Sequence, residues 1–282
     1  MNDPKPRYHH HAHAVALAGE VTHPFHEVID VQAPATIPSA GGVSSSHKKR
    51  YRLPGVLMHH GARTKATGRH NPEANRHELM AHAALEGLNI EDVLTVDFVT
   101  AHLTATYRTD VKDDGQEAQI SPRGSMFHRL RIAGRDIDLE PNVDLYHELD
   151  TLAKVKQAYK DNKDQFKEKF DRDSFVGKES ELPPTHHQFF PWRKQKPTAE
   201  LPTHRGHTII PLFTVKNPNE PGVFEVRGNV VYVANFGRIH IGEMVITPHE
   251  RRVMMIHVDM GSPTHADLMV ASVCTGGGQT DP

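Results

Sequence analysis

The sequence predicts a mainly β protein: an antiparallel sandwich or barrel-like domain with one long inserted amphipathic helix and a proline-rich excursion. Many short segments alternate apolar and polar residues with a period of two, which is typical of a half-buried strand. Turn-forming residues separate these segments. Only one long segment has the apolar spacing of three, four and seven residues that indicates a helix. The sequence therefore predicts a series of strands that is interrupted once by a helical segment.

The predicted β core has two parts, residues 12–140 and 207–275, within a single domain over residues 1–282. Residues 12–19 alternate, with alanine at the even positions and His13, Val15 and Leu17 among the odd ones. The segment FVTAHLTATY is the clearest strand, because threonine and histidine occupy every second position. Its inward face is predicted to hold Val99, Ala101, Leu103, Ala105 and Tyr107.

The segment RVMMIHVDM in the last third of the chain is a further predicted strand. Alternation places four of its residues inward, namely Met254, Ile256, Val258 and Met260. The same alternation places three residues outward, namely Met255, His257 and Asp259. A flexible tail is expected over residues 276–282.

Residues 71–87 carry conflicting local signals. Asn71 is suited to cap a helix, Pro72 to occupy its first position and Gly87 to end it. However, alternate residues from His77 to Leu85 also follow the period of a strand. Local propensity alone leaves both readings open.

The pattern over residues 144–171, with Asp144 as a cap, predicts one long amphipathic helix or two shorter helices. Its apolar stripe contains Leu145, Leu149, Leu152, Val155, Tyr159, Phe166 and Phe170. Residues 173–206 are rich in proline and contain Trp192, the single tryptophan. We expect this excursion to be irregular because it has little periodicity.

Composition excludes several classes of function. Lysine and arginine number 33 against 35 acidic residues, a formal charge of −2, so no nucleic-acid or anionic-membrane footprint is expected. No apolar run is long enough to span a bilayer, and no signal peptide is evident, so the expected location is the cytoplasm. The single cysteine, Cys274, is taken to exclude an intrachain disulfide and a cysteine-based zinc site. Its apolar strand favours a core position.

Three stretches together resemble the choice-of-anchor P type proteins, an uncharacterised bacterial all-β family. They are LEGLNIEDVLTVDFVTAHLTATY, GSMFHRLRIAGRDI and the closing strands from NFGRIHIGEMVI to ADLMVASVC. The resemblance covers roughly residues 85–140 and 223–275. It implies a strand running into the EGLNI turn, which favours strand over helix for residues 77–90. It implies no catalytic residues. The family is typically secreted or surface-associated, whereas no signal peptide or anchor is expected for this chain.

Histidine is the compositional outlier, with 23 residues. The candidate metal ligands are His9, His11, His13, His23 and His26, and zinc or copper would accept them. Alternate histidines of a strand share one face, which allows two imidazoles to approach one ion. Three further histidine pairs are candidates, namely His59/His60, His186/His187 and His204/His207. The alternative reading is a polar strand face without a metal.

No catalytic residue is predicted, because the sequence lacks the HExxH, GxSxG, P-loop and GxGxxG motifs. The leading hypothesis is a non-enzymatic structural or binding β protein that self-associates or binds a protein partner. The first alternative is a histidine-rich module that binds zinc or copper. The second alternative is a metal-dependent hydrolase. An ordered ion in native protein distinguishes the alternatives from the leading hypothesis.

Overall fold

The computed structural model describes residues 7–109, 117–161, 203–204, 207–217, 219–246, 250–261 and 263–280, and these residues form a mainly β protein. The strands that precede the helices are β1 (Arg7–His23), β2 (Glu27–Gln32), β3 (Ala35–Thr36), β4 (Gly42–Lys48), β5 (Tyr51–Leu53), β6 (Leu57–His59), β7 (Gly61–Asn71), β8 (Arg76–Ile90), β9 (Leu94–Arg108), β10 (Gln119–Ser121), β11 (Met126–Ile132), β12 (Arg135–Asp136) and β13 (Leu139–Pro141). The helices are α1 (Val143–Glu148) and α2 (Leu152–Asp161). The strands that follow are β14 (Thr203–His204), β15 (His207–Pro211), β16 (Phe213–Val215), β17 (Phe224–Arg227), β18 (Val230–Val233), β19 (Gly237–Ile246), β20 (Glu250–Gly261) and β21 (His265–Thr280).

Two large antiparallel sheets pack as a sandwich. The first has the order β14-β15-β19-β20-β21-β1-β2, with β18 beside β19, β17 beside β18 and β3 beside β1. The second has the order β12-β11-β9-β8-β6-β5, with β7 also beside β8, β4 beside β7 and β10 beside β9. Strands β1 and β21 of the first sheet contact β8 of the second. Both described sheets are open, so the structure has the predicted sandwich rather than the predicted barrel.

The strand prediction for residues 77–90 is confirmed. Strands β8 and β9 pair from Arg76↔Arg108 to Ile90↔Leu94. The residues that resemble the start of a helix form a turn between β7 and β8 instead. In this turn the Asn71 side chain accepts a hydrogen bond from the backbone of Ala74 at 3.2 Å. An asparagine that bonds its own chain two or three residues ahead stabilises a turn.

The predicted inward face of β9 is also confirmed, although Thr100 on the other face is buried as well. Its five predicted inward residues are all buried, and Leu103 has no exposed surface. By contrast, the outward prediction for β20 is wrong, because His257 and Asp259 are buried as well. The His257 ring bonds the Asp267 carboxylate at 2.8 Å, and Arg238 Nε donates to Asp259 at 3.0 Å. These partners come from β21 and β19, so alternation along β20 cannot reveal them.

The single long helix predicted over residues 144–171 is wrong for the part that the structure describes, whereas the alternative of two shorter helices agrees with it. Helices α1 and α2 are separate and short, and residues 162–171 lie outside the described residues. The break has a local cause: Thr151 Oγ1 accepts a hydrogen bond from Lys154 N at 3.2 Å and so caps α2. The carbonyl of Asp150 accepts the Ile120 amide of β10 at 2.9 Å, which diverts the chain from a helix.

Strand β1 is the long interior strand of the first sheet. It pairs with β21 from Arg7↔Thr280 to His23↔His265 and with β2 on its other side. This pairing includes residues 276–280, which the sequence assigned to a flexible tail. Among the described helices, none is long and apolar enough to cross a membrane. The proline-rich residues 173–202, with Trp192, lie outside the described part of the chain.

Candidate metal centre

The candidate metal centre lies across three adjacent strands, β1, β21 and β20. His11 and Glu250 are both cross-strand partners of Gly276, and Cys274 is two residues away from Gly276 on β21. Cross-strand partners, and residues two apart on a strand, point to the same face of a sheet. Gly276 has no side chain, so the space between His11 and Glu250 stays open.

The side chains converge as the register requires. One ligand atom each from His11, Glu250 and Cys274 lies within 4.8 Å of the other two. The Cys274 thiol donates a hydrogen bond to Glu250 Oε1 at 3.1 Å. Cys274 is 2% exposed, whereas His11 is exposed and Glu250 is half-buried. The cluster therefore has a buried sulfur end and an open imidazole end.

The electrostatic environment keeps the thiol protonated when no cation is bound. Burial raises the pKa of Cys274, the Glu250 carboxylate raises it further, and Arg252 lowers it. A bound cation reverses this preference, because a coordinating thiol loses its proton.

The donor set suits a borderline transition metal. Zinc accepts thiolate, imidazole and carboxylate ligands in tetrahedral geometry, and copper also favours thiolate and imidazole. The three side chains would leave one position of a tetrahedral ion free. His13 lies on the same face opposite Cys274 and is half-buried. Burial lowers the pKa of His13, with contributions from Arg252 and His11, so its imidazole keeps a free electron pair at neutral pH.

The structure divides the predicted histidine ligands into two groups. His9, His11 and His13 lie on one face at one end of β1. His23 lies roughly 40 Å further along the strand, at about 3.3 Å per residue. There His23 packs against His265, with 5.6 Å between ring centroids, and His26 bonds Glu20 at 2.6 Å. One ion cannot bind both groups.

The remaining histidine pairs do not add ligands to this cluster. The His59 ring is fully buried, and neither of its nitrogens has a hydrogen-bond partner in the described structure. Burial lowers the pKa of His59 to about 4, so the ring is neutral. His60 packs over Gly87. His186 and His187 lie outside the described residues, and only the backbone pairing His204↔His207 is described for the last pair.

Sequence reasoning missed Glu250 and Cys274. It placed the cysteine in the core, which its burial bears out, but excluded a cysteine-based zinc site, whereas Cys274 lies in the cluster of candidate ligands. No spacing motif connects either residue to His11, because the connection depends on the pairing of β1 with β21. Only a prediction of that long-range pairing would have revealed the cluster.

Comparison with known families gives one match. A family described as a domain of unknown function, DUF8256, matches residues 8–247 of this chain. The chain belongs to the DUF8256 family. His11 lies inside the matched range, whereas Glu250 and Cys274 follow it. Neither a search of curated proteins nor a search of solved structures found a match. The resemblance to choice-of-anchor P type proteins stays a prediction.

Proposed function

We propose that this DUF8256 protein is a non-enzymatic β-sandwich that binds a transition-metal ion, zinc or copper, through His11, Glu250 and Cys274. The observation that supports the proposal is the mutual approach of three different ligand atoms within 4.8 Å. Nitrogen, oxygen and sulfur donors in one cluster match the ligand chemistry of these two metals.

The state of the thiol favours binding over catalysis. A nucleophilic cysteine is partly exposed and has a lowered pKa. Cys274 has the opposite properties, since it is 2% exposed and burial raises its pKa. Its proton leaves when a cation takes its place, which makes Cys274 a ligand and couples metal binding to proton release.

The test uses untagged, metal-depleted protein. We expect one zinc or copper ion to bind per chain by titration calorimetry and elemental analysis. Cobalt(II) should give a sulfur-to-metal charge-transfer absorption that Cys274→Ser abolishes. Glu250→Gln should weaken binding, because a neutral amide is a poorer ligand than a carboxylate.

The matched control is the double variant His23→Ala, His26→Ala, which removes two histidines from the other end of β1. It should bind the ion as the wild type does. Equal loss of binding in the control and in Cys274→Ser would show that histidines bind loosely along the strand, and the proposed centre would be rejected. Absence of the charge-transfer absorption in wild type would reject the role of the thiol.

Self-association, the other expectation from the sequence, stays a prediction. Strand β2 and the turn before it expose three apolar side chains, Phe25 at 42%, Val28 at 61% and Val31 at 49%. Strand β2 ends the order of the first sheet. Sedimentation of wild type and of the double variant Val28→Lys, Val31→Lys tests this surface, because charge on an edge strand opposes pairing.

A further inference from the structure

The ladder between β1 and β21 contains a run of glycines at the candidate metal centre. Three successive glycines of β21 pair with three histidines of β1, namely His11↔Gly276, His10↔Gly277 and His9↔Gly278. Glycine loses more conformational freedom on folding than any other residue, and in a strand it has no side chain to pack. We therefore expect the ladder to open most readily at this end.

The pairing of β21 becomes one-sided just beyond the centre. Strand β20 pairs with β21 only as far as Glu250↔Gly276. Within the described part of the chain, residues 277–280 pair with β1 alone. Strand β1 is also bonded on its other side, where the amide of His10 donates to the carbonyl of Ser39 at 2.9 Å. An opening of the sheet should therefore begin at the end of β21, while β1 stays in place.

The three candidate ligands lie where such an opening must pass. His11 and Glu250 are the partners of Gly276 on its two sides, and Cys274 lies two residues further into the sheet. An ion bound to all three would join β1, β20 and β21 at the last position where the three strands run side by side. Separation of β21 from β1 beyond Gly276 would move Cys274 away from His11 and release the ion.

The energetic consequence differs on the two sides of Gly276. An opening that releases a bound ion must also overcome the binding free energy, so a hundredfold excess of free ion over Kd lowers the population of the open state about a hundredfold. Fraying of residues 277–280 leaves all three ligands in place. It should therefore have the same free energy with and without the ion.

We propose that the bound ion acts as a clamp that stops the opening of the β1–β21 ladder at Gly276, so that metal availability regulates the exposure of β1. This clamp rests on the metal binding proposed above, because it uses the same three ligands. Without metal, the opening passes the glycines and exposes a row of unpaired amide and carbonyl groups on β1, which is a template for pairing with another strand. With metal, β1 stays covered from His11 inward.

The experiment is amide hydrogen exchange, resolved residue by residue by NMR, on untagged full-length protein. Metal-depleted protein is compared with protein in free zinc at a hundred times the measured Kd. The hydrogen-bonded amides of residues 12–14 and 272–275 should exchange about a hundredfold more slowly with zinc. Residues 278–280 should exchange at the same rate in both samples. So should the β11–β12 hairpin, which can open without moving the ligands.

Two ligand variants and one control assign the effect to the centre. Cys274→Ser removes the sulfur ligand, and His11→Ala removes a ligand at an exposed position, where little effect on folding is expected. Each variant is compared with itself, with and without zinc, and both should lose the zinc-dependent slowing. The matched control His23→Ala, His26→Ala should retain it.

The outcomes separate the clamp from the metal centre. If zinc binds and cobalt(II) gives the sulfur absorption, but residues 272–275 slow no more than residues 278–280 or the β11–β12 hairpin, the clamp is overturned and the centre stands. If neither zinc nor cobalt(II) binds to wild type, the centre is rejected and the clamp with it.

Discussion

The two faces of the β1, β21 and β20 ladder present opposite chemistry at the same position along the strands. The outer face presents an imidazole, a carboxylate and a thiol, which supply electron pairs to a cation. The inner face presents hydroxyls and a guanidinium, which supply protons to acceptors. Neighbours in sequence are separated in this way: Glu250 from Arg251, and Cys274 from Thr275.

This contrast shows that one strand can place adjacent residues in two chemically different environments. Successive side chains point to opposite faces, so two adjacent residues can serve unrelated sites about one sheet thickness apart. A shift of the register by one residue would exchange the two sets. The pairing of β1 with β21 therefore determines the candidate metal centre and the packing of the inner face at once.

The largest expected effect breaks the sandwich on which both faces depend. Leu103 is fully buried on β9, and Leu103→Asp removes a core side chain and introduces a buried charge. We expect a loss of more than about 4 kcal/mol in the free energy of unfolding. His102→Thr, on the opposite face of the same strand, should cost far less. Similar urea midpoints for the two variants would show that the assigned register is wrong.

The next effect separates the two faces by adjacent substitutions. Cys274→Ala should abolish stabilisation by zinc, which for a binding protein is about 2.7 kcal/mol at a hundredfold excess over Kd. Thr275→Val, whose side chain lies on the inner face, should leave that stabilisation intact. Melting temperatures measured with and without zinc check both variants. Loss of the zinc response in Thr275→Val as well would mean that the faces are not independent.

Acid should destabilise the inner face. His77 stacks on Tyr8 at 3.9 Å and bonds His10 at 3.2 Å. Burial lowers the pKa of His77 from 6.5 to about 4, with further lowering by His10 and His70. Its contribution to stability is therefore complete above about pH 6.5 and is lost as pH falls toward 4.

The expected slope is at most about 1.4 kcal/mol per pH unit for this one proton. His77→Phe keeps an aromatic ring against Tyr8 and should reduce the slope between pH 7 and pH 5. His128→Phe, at an exposed position on β11, should leave the slope unchanged. Urea denaturation of the three proteins across this pH range makes the comparison, and equal slopes would contradict it.

The smallest effect is expected at the open end of the outer face. The triple variant His9→Ser, His11→Ser, His13→Ser should change the free energy of unfolding by less than about 1 kcal/mol in metal-depleted buffer, because His9 and His11 are exposed and His13 is only half-buried. Added zinc should then raise the melting temperature of wild type only. A large loss without metal would show that these histidines stabilise the fold itself.

The sequence predicted those features that depend on local alternation. The buried face of β9 was predicted residue by residue, because Val99 to Tyr107 alternate without interruption. The division between α1 and α2 was predicted only as an alternative, because the apolar stripe continues across the boundary. Asp150 and Thr151, two residue types that often cap helices, mark that boundary in the sequence.

The features that depend on distant strands could not be predicted. Alternation along β20 predicted that His257 and Asp259 point outward. Both are buried, because they bond Asp267 and Arg238 of the neighbouring strands. His11 was a candidate by its type, but its neighbours Glu250 and Cys274 follow from strand order alone. A single sequence does not show which distant strands pair with each other, and most of the unpredicted features follow from that pairing.

The pairing of β1 with β21 also sets the order of assembly during synthesis. Strand β1 leaves the ribosome long before its partner exists, and it occupies an interior place in the sheet. Until β21 is made, the alanine-rich face of β1 and one full row of its amide and carbonyl groups lack their final neighbour. Long-range pairing of this kind folds slowly and exposes unpaired edges. We expect the exposed histidines of this strand to oppose its pairing with other chains during that interval, because polar side chains on an unpaired strand disfavour aggregation.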